Sequence, residues 1–230
     1  MSIADSPAST AKQPNVVSPT HLNLRKAAGL IRNGGVVVAP SDTNLALTLD
    51  PWNRAAVERA FAIKRRPPTS PLTLFVRTPQ EWRDYTVVPE SLIVPVERLT
   101  EAFWPGPFNI ILPRNTRVPD HLVCGGPTVA IGCLSNPTMQ SLLEHTGGPV
   151  AMTSANLSGQ ADGVLVDLDL AVAQIGDSVD MVIRGGNQGT TASSTIVTLA
   201  DGRFRIQRAG DITADQVRAA LGDRAELLTD

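Results

Sequence analysis

Apolar and polar positions alternate along the chain in short blocks, and each block predicts one element. Across "HLNLRKAAGLIRN", Leu22, Ala27 or Ala28, and Ile31 share one face, which predicts a helix that Gly34 and Gly35 bring to an end. The run "VVVAP" (36–40) reads as a buried strand. In "NRAAVERAFAIKRR", Val57, Ala60 and Phe61 follow helical spacing, and Lys64, Arg65 and Arg66 fall at the C-terminal end, where the helix dipole favours cations. "PLTLFV" (71–76) reads as a strand and "SLIVPVERLTEAFW" (91–104) as a helix interrupted or begun at Pro95. "FNIILP" and "TVAIG" follow as strands, "NPTMQSLLEH" as a helix and "PVAM" as a strand. The last third predicts a helix from Leu168 to Ile175, strands at "DMVIRG", "STIVTL" and "RFRIQR", and a closing helix from Thr213 to about Leu221. Strands and helices interleave without long runs of either, which predicts an α/β single-domain fold, a twisted mixed or parallel sheet flanked by helices.

The ends read differently. "MSIADSPASTAKQPNVVSPT" is rich in Ser, Pro, Ala and Thr, so residues 1–20 are expected to form a disordered tail. The domain is expected over 21–222, with a C-terminal tail over 223–230. The start lacks the positive residues and apolar centre of a signal peptide, and no apolar window approaches the length of a membrane span. These features predict a cytoplasmic protein with no membrane partner. The 230 residues are 42% hydrophobic and 18% charged, enough for one substantial core. A net charge of -2 gives no overall pull toward nucleic acid. Two cysteines rule out a disulfide framework or a four-cysteine zinc site. His21, His121 and His145 lack metal-ligand spacing, and Cys124 sits before Gly-Gly in a loop. Nothing in the pattern fixes an oligomeric state.

Chemistry concentrates in polar clusters that follow apolar elements: "PSDTN" (40–44), "KRRPPTSPL" (64–72), "TSANLSG" (153–159) and "GTTASSTIV" (189–197). Each alone reads as a cap or turn, since Ser, Thr, Asn and Asp serve both purposes. Together they place cations and hydroxyls at strand ends, where α/β sheets bind ligands, with no His or Cys nucleophile among them. That inventory suits a phosphate-bearing substrate held by charge and hydrogen bonds.

In this order the clusters, with "FWPGP" (103–107) and "RIQRAG" (205–210), resemble the Sua5/YrdC family of threonylcarbamoyl-adenylate synthases from about His21 to Leu221. The family's lysine–x–arginine–proline with a following proline–leucine is met by Lys64, Arg66, Pro67, Pro71 and Leu72. Its serine–alanine–asparagine is met by Ser154, Ala155 and Asn156, its serine–threonine–isoleucine by Ser194, Thr195 and Ile196, and its arginine–x–glycine by Arg208 and Gly210. The resemblance implies a large concave cavity and the condensation of L-threonine, bicarbonate and ATP into a carbamoyl-adenylate and pyrophosphate, with Mg²⁺ on the nucleotide. It implies that Lys64 and Arg66 are catalytic cations that also bind nucleotide, together with Ser154, Asn156, Ser194, Thr195 and Arg208. Ser41, Thr43, Asn44, Asn109 and Thr153 would contact the substrate. It further implies a role in tRNA modification, with tRNA or tRNA-modification proteins as partners.

Departures fall in one half of the site. Leu45 and Ala46 stand where the family has tyrosine and glycine, Asn109 where it has threonine, and Gly132 where it has arginine. Two further readings follow: a paralogue that applies ATP and bicarbonate or carbamoyl chemistry to another amine or acceptor, and a non-catalytic module that binds nucleotide or double-stranded RNA.

Overall fold

The computed structural model describes residues 13–161 and 164–228. Within them the strands are β1 (Val16–Val17), β2 (Val37–Pro40), β3 (Leu45–Leu49), β4 (Thr73–Phe75), β5 (Phe108–Pro113), β6 (Thr128–Gly132), β7 (Val150–Ser154), β8 (Met181–Ile183), β9 (Thr195–Ala200), β10 (Arg203–Arg208) and β11 (Leu227–Leu228). The helices are α1 (His21–Arg32), α2 (Arg54–Lys64), α3 (Glu90–Phe103), α4 (Pro137–Thr146), α5 (Leu168–Ile175) and α6 (Ala214–Leu221). All strands join one sheet in the order β1-β8-β2-β3-β7-β4-β6-β5-β9-β10-β11. Five pairs are parallel (β1/β8, β2/β8, β4/β6, β5/β9, β10/β11) and the other five antiparallel, so the sheet is mixed.

Helix ends follow local chemistry. Thr20, Asn53, Asn136, Asp167 and Thr213 each accept a hydrogen bond from a first-turn amide, and Thr213 with Gln216 completes a capping box. Gly147, at φ 77°, ends α4 in a conformation that costs glycine little. α3 begins at Glu90 and runs through Pro95 rather than starting there. The proline gives up one N–H and its buried ring packs in the core instead.

Three strands lie where none was expected. β3 is buried at every position, so it shows no alternation to mark it. β1 and β11 fall inside the expected tails, yet Val16–Val17 pair with β8 and Leu227–Leu228 with β10. Strands of two residues are too short to carry a pattern. Residues 1–12 of the expected N-terminal tail lie outside the described residues.

Alternation along each strand sorts the core into two faces. Leu47, Leu74, Ile110, Ile131, Val197 and Phe204 point to one face, where residues of α2, α3, α5 and α6 meet them. Ala39, Ala46, Phe75, Met152 and Ile183 point to the other, against α1 and α4. The two helices of this second face pack on each other and on β2 and β3. Toward β5, β9 and β10 the same face is left open. That open half of the sheet is the floor of a cleft.

Candidate functional site

A cleft of about 620 Å³ lies over this floor. One rung of paired positions crosses it: Phe75 opposite Gly132, Gly132 opposite Asn109, Asn109 opposite Ile196, and Ile196 opposite Arg208. Ile111, Ala130, Met152, Leu134 and Ala46 complete an apolar floor. The rim is polar, formed by the turns before β3 and β4 and by the end of β7 and the approach to β9. Arg66 and Arg208 are the cations of the lining, and no carboxylate is present among the described residues that form it. The site therefore attracts anions, even though the chain is slightly acidic overall.

The first polar cluster is both a turn and a wall. Ser41 Oγ donates to the Asn44 carbonyl at 2.6 Å and closes the turn. The buried Asp42 carboxylate accepts from the backbone amides of Ser135 at 3.0 Å and Asn136 at 2.7 Å, at the start of α4. Burial raises the Asp42 pKa, and these backbone amides oppose the rise. Asn44 ties the wall together: its Nδ2 donates to Thr43 Oγ1 and Ser193 Oγ, and its Oδ1 accepts from the Val166 amide at 2.8 Å.

Lys64 and Arg66 are steered apart by the residue between them. Arg65 ends α2 at φ 49°, a left-handed conformation, and the Arg66 amide bonds back to the Phe61 carbonyl at 2.9 Å. Arg65 is left in solvent, while Arg66 returns to the cleft wall. Arg66 Nε donates to the Ser70 carbonyl at 2.8 Å and Nη2 to the Pro71 carbonyl at 2.9 Å, which holds the guanidinium in place. Burial lowers its pKa without removing its charge. Arg208 is held at the opposite side by Nε to the Ser194 carbonyl at 2.9 Å.

Nine of the expected contact residues line the cleft: Ser41, Thr43, Asn44, Arg66, Asn109, Thr153, Ser154, Ser194 and Arg208. Three do not. Lys64 is only 1% exposed, and its ammonium donates to the Ser154 carbonyl, the Asn156 carbonyl and Asn156 Oδ1. Burial first, and the neighbouring Arg66 charge second, push its pKa down to about 7. Asn156 is buried beside it, accepting from Lys64 and from Ser154 Oγ at 2.6 Å while its Nδ2 donates to the Leu157 carbonyl. Thr195 alternates away from Ser194 and Ile196, and its hydroxyl donates to the Ile212 carbonyl at 2.7 Å on the far face. Lys64, expected to be catalytic, is held inside the serine–alanine–asparagine turn.

Other lining residues carried weak signals in the sequence. Thr69, Ser70 and Ser193 belong to polar clusters already singled out. Phe75, Ile111, Ala130, Met152 and Ile196 are apolar positions on separate strands, which only the register brings side by side. Ala161, Val164 and Val166 approach from the segment between β7 and α5.

Fold and cleft define a mixed-sheet α/β protein with a polar-rimmed cleft that carries two arginines. A family model, Sua5_yciO_yrdC, described as "Telomere recombination", matches residues 29–210, and the chain belongs to this family. It is 32% identical over 206 residues to the threonylcarbamoyl-AMP synthase of Bacillus subtilis, covering 86% of this chain and 56% of that protein. The chain thus spans little more than half the length of that relative. Sua5 of Pyrococcus abyssi, solved in complex with L-threonine, superposes with a TM-score of 0.82 at 25% identity, covering 94% of this chain and 62% of that one. YciO of Escherichia coli superposes with a TM-score of 0.72 at 26% identity, covering 88% of this chain and 96% of its own. No helix among the described residues is long and apolar enough to cross a membrane.

Proposed function

We propose that this chain condenses L-threonine, bicarbonate and ATP into threonylcarbamoyl-adenylate, releasing pyrophosphate. One observation carries the reading: two buttressed guanidiniums and a set of hydroxyls surround a cleft of about 620 Å³, in a fold whose Pyrococcus relative was solved with L-threonine. The names of the curated relatives support it. The amine first attacks bicarbonate and, with loss of water, gives a carbamate. A carbamate oxygen then attacks the α-phosphorus, a new phosphorus–oxygen bond forms, and the bond to the departing pyrophosphate breaks. Both reactants are anionic, so the protein must bring like charges together and hold them in line.

Arg66 and Arg208 hold the phosphates and carry the charge that builds on their oxygens. Thr153, Ser154 and Ser194 orient the nucleotide. Lys64 acts through the 154–158 turn: with Asn156 it fixes the Ser154 carbonyl and hydroxyl, so its role is positioning. Thr43 and Asn44 form the wall opposite. Mg²⁺ would come bound to the triphosphate and would neutralise part of its charge. The adenylate is an activated carbamoyl donor for a tRNA adenosine, which makes tRNA or a tRNA-modifying partner the recipient of the product.

The test is pyrophosphate release from ATP with bicarbonate and a panel of amines. Release that requires bicarbonate and L-threonine supports the proposal. Release only with another amine moves the chain to a paralogous reaction, and ATP binding without release with any amine leaves a binding module.

A further inference from the structure

Asn109 sits in the middle of the cleft floor, only 5% exposed, and its side chain makes no hydrogen bond with any described residue. Its carboxamide atoms are not among the fully enclosed polar atoms, so they open to the cleft rather than into the core. Buried amides are ordinarily paired, because an unpaired one forfeits the water it gave up. A buried, unpaired carboxamide facing a cleft is therefore poised for a ligand.

Its surroundings define which ligand group. Asn109 pairs across the sheet with Gly132 on one side and Ile196 on the other. A Cβ built on Gly132 would lie 2.2 Å from Asn109 Oδ1 and 2.8 Å from the Phe75 ring. The missing side chain at 132 is thus the space into which the amide and the ring lean. Ile111, Ala130 and Phe75 make the rest of this region apolar. Arg208 lies two strands away, across Ile196, and Arg66 belongs to another wall. A carboxylate placed here could only accept and would leave Oδ1 unpaired, whereas a hydroxyl can both accept from Nδ2 and donate to Oδ1.

We infer that Asn109, seated over Gly132, is the specificity-determining residue for the amine: it reads a neutral hydroxyl on a short aliphatic side chain, with the apolar floor taking the carbon atoms. This inference rests on the proposed condensation and deepens it. Valine matches threonine in shape and lacks only the hydroxyl, so the pair isolates the contact.

The experiment compares kcat/KM for pyrophosphate release with L-threonine and L-valine in the wild type, Asn109→Leu and Gly132→Ala. A site built to hydrogen-bond a hydroxyl leaves its own groups unpaired with the analogue, so the wild type is expected to prefer threonine by about 100-fold or more. Asn109→Leu removes the amide and is expected to bring the two amines within about tenfold, with ATP affinity unchanged. Gly132→Ala displaces the amide without deleting it and is expected to erode the preference in the same direction. Valine within about threefold of threonine in the wild type, or a preference undiminished in both variants, overturns the inference. Calorimetric binding of the two amino acids to protein loaded with a non-hydrolysable ATP analogue separates the two failures. If no amine supports turnover, the proposed reaction falls, and the ratio of binding constants still decides the role of Asn109.

Discussion

Replacing Lys64 by Met removes the ammonium and keeps the length of the side chain. Three acceptors lose this donor: the Ser154 and Asn156 carbonyls and Asn156 Oδ1. Asn156 Oδ1 keeps the Ser154 hydroxyl and the Ser154 carbonyl keeps the Asn156 amide, so the Asn156 carbonyl is the acceptor left orphaned, at a cost of about 1–3 kcal/mol that the relief of a desolvated cation offsets in part. The pH dependence carries the sharper signature. Folding lowers the Lys64 pKa from 10.5 to about 7, so between those values the unfolded chain binds the proton and the folded chain does not. Stability therefore rises with pH across that window, by at most about 1.4 kcal/mol per unit, and is flat below it. The contribution is a penalty carried in full below pH 7 and relieved above it. Urea unfolding of wild type and Lys64→Met, followed by circular dichroism from pH 6 to 9.5, gives the difference between the two. The gap in favour of the wild type should widen steadily above pH 7. A gap that stays constant would refute the reasoning that burial, more than its carbonyl partners, governs this lysine. Pyrophosphate release should fall about tenfold or more in the variant, because the turn that presents Ser154 loses its strut.

Arg66→Lys keeps a cation but cannot bond the Ser70 and Pro71 carbonyls while also facing an anion; ATP affinity measured by calorimetry should drop about 10- to 100-fold. Thr195→Val should cost about 1 kcal/mol of stability by losing the bond to the Ile212 carbonyl, yet leave ATP affinity unchanged; weakened binding would place this hydroxyl at the nucleotide after all. Arg65→Gly should raise the unfolding midpoint, with a gain of about 1 kcal/mol from relief of the left-handed backbone at φ 49°. A loss instead would mean that the Arg65 side chain makes a contact worth more than that strain.

Most helices were legible from their helical spacing, and most strands as short apolar runs bounded by turn residues. Alternation along β9 bore on Thr195: adjacent positions in "SSTIV" cannot all face one ligand, and the strand start decides which do. The contrast between Lys64 and Arg66 was not legible. It depends on a non-glycine residue in a left-handed conformation, which no local signal marks. Asn44 and Asp42 had to be seen in three dimensions, because their partners, Ser193, Val166, Ser135 and Asn136, come from distant segments. The apolar floor was hidden for a related reason. Phe75, Gly132, Asn109 and Ile196 form one rung only through the pairing of β4, β6, β5 and β9. The departures at Asn109 and Gly132, which fall in one half of the site by sequence, are directly paired positions of β5 and β6.

The most direct measurement follows the carbon of bicarbonate. Incubation with ATP, L-threonine and ¹³C-bicarbonate, with the products resolved by mass spectrometry and carbon NMR, should give one labelled species. The expected product has a carbamoyl carbon bonded through nitrogen to threonine and through oxygen to the α-phosphate of AMP, formed in equal amount with pyrophosphate and reduced in Arg66→Lys. Pyrophosphate appearing without labelled adenylate, or adenylate whose label is absent, would contradict the proposed condensation.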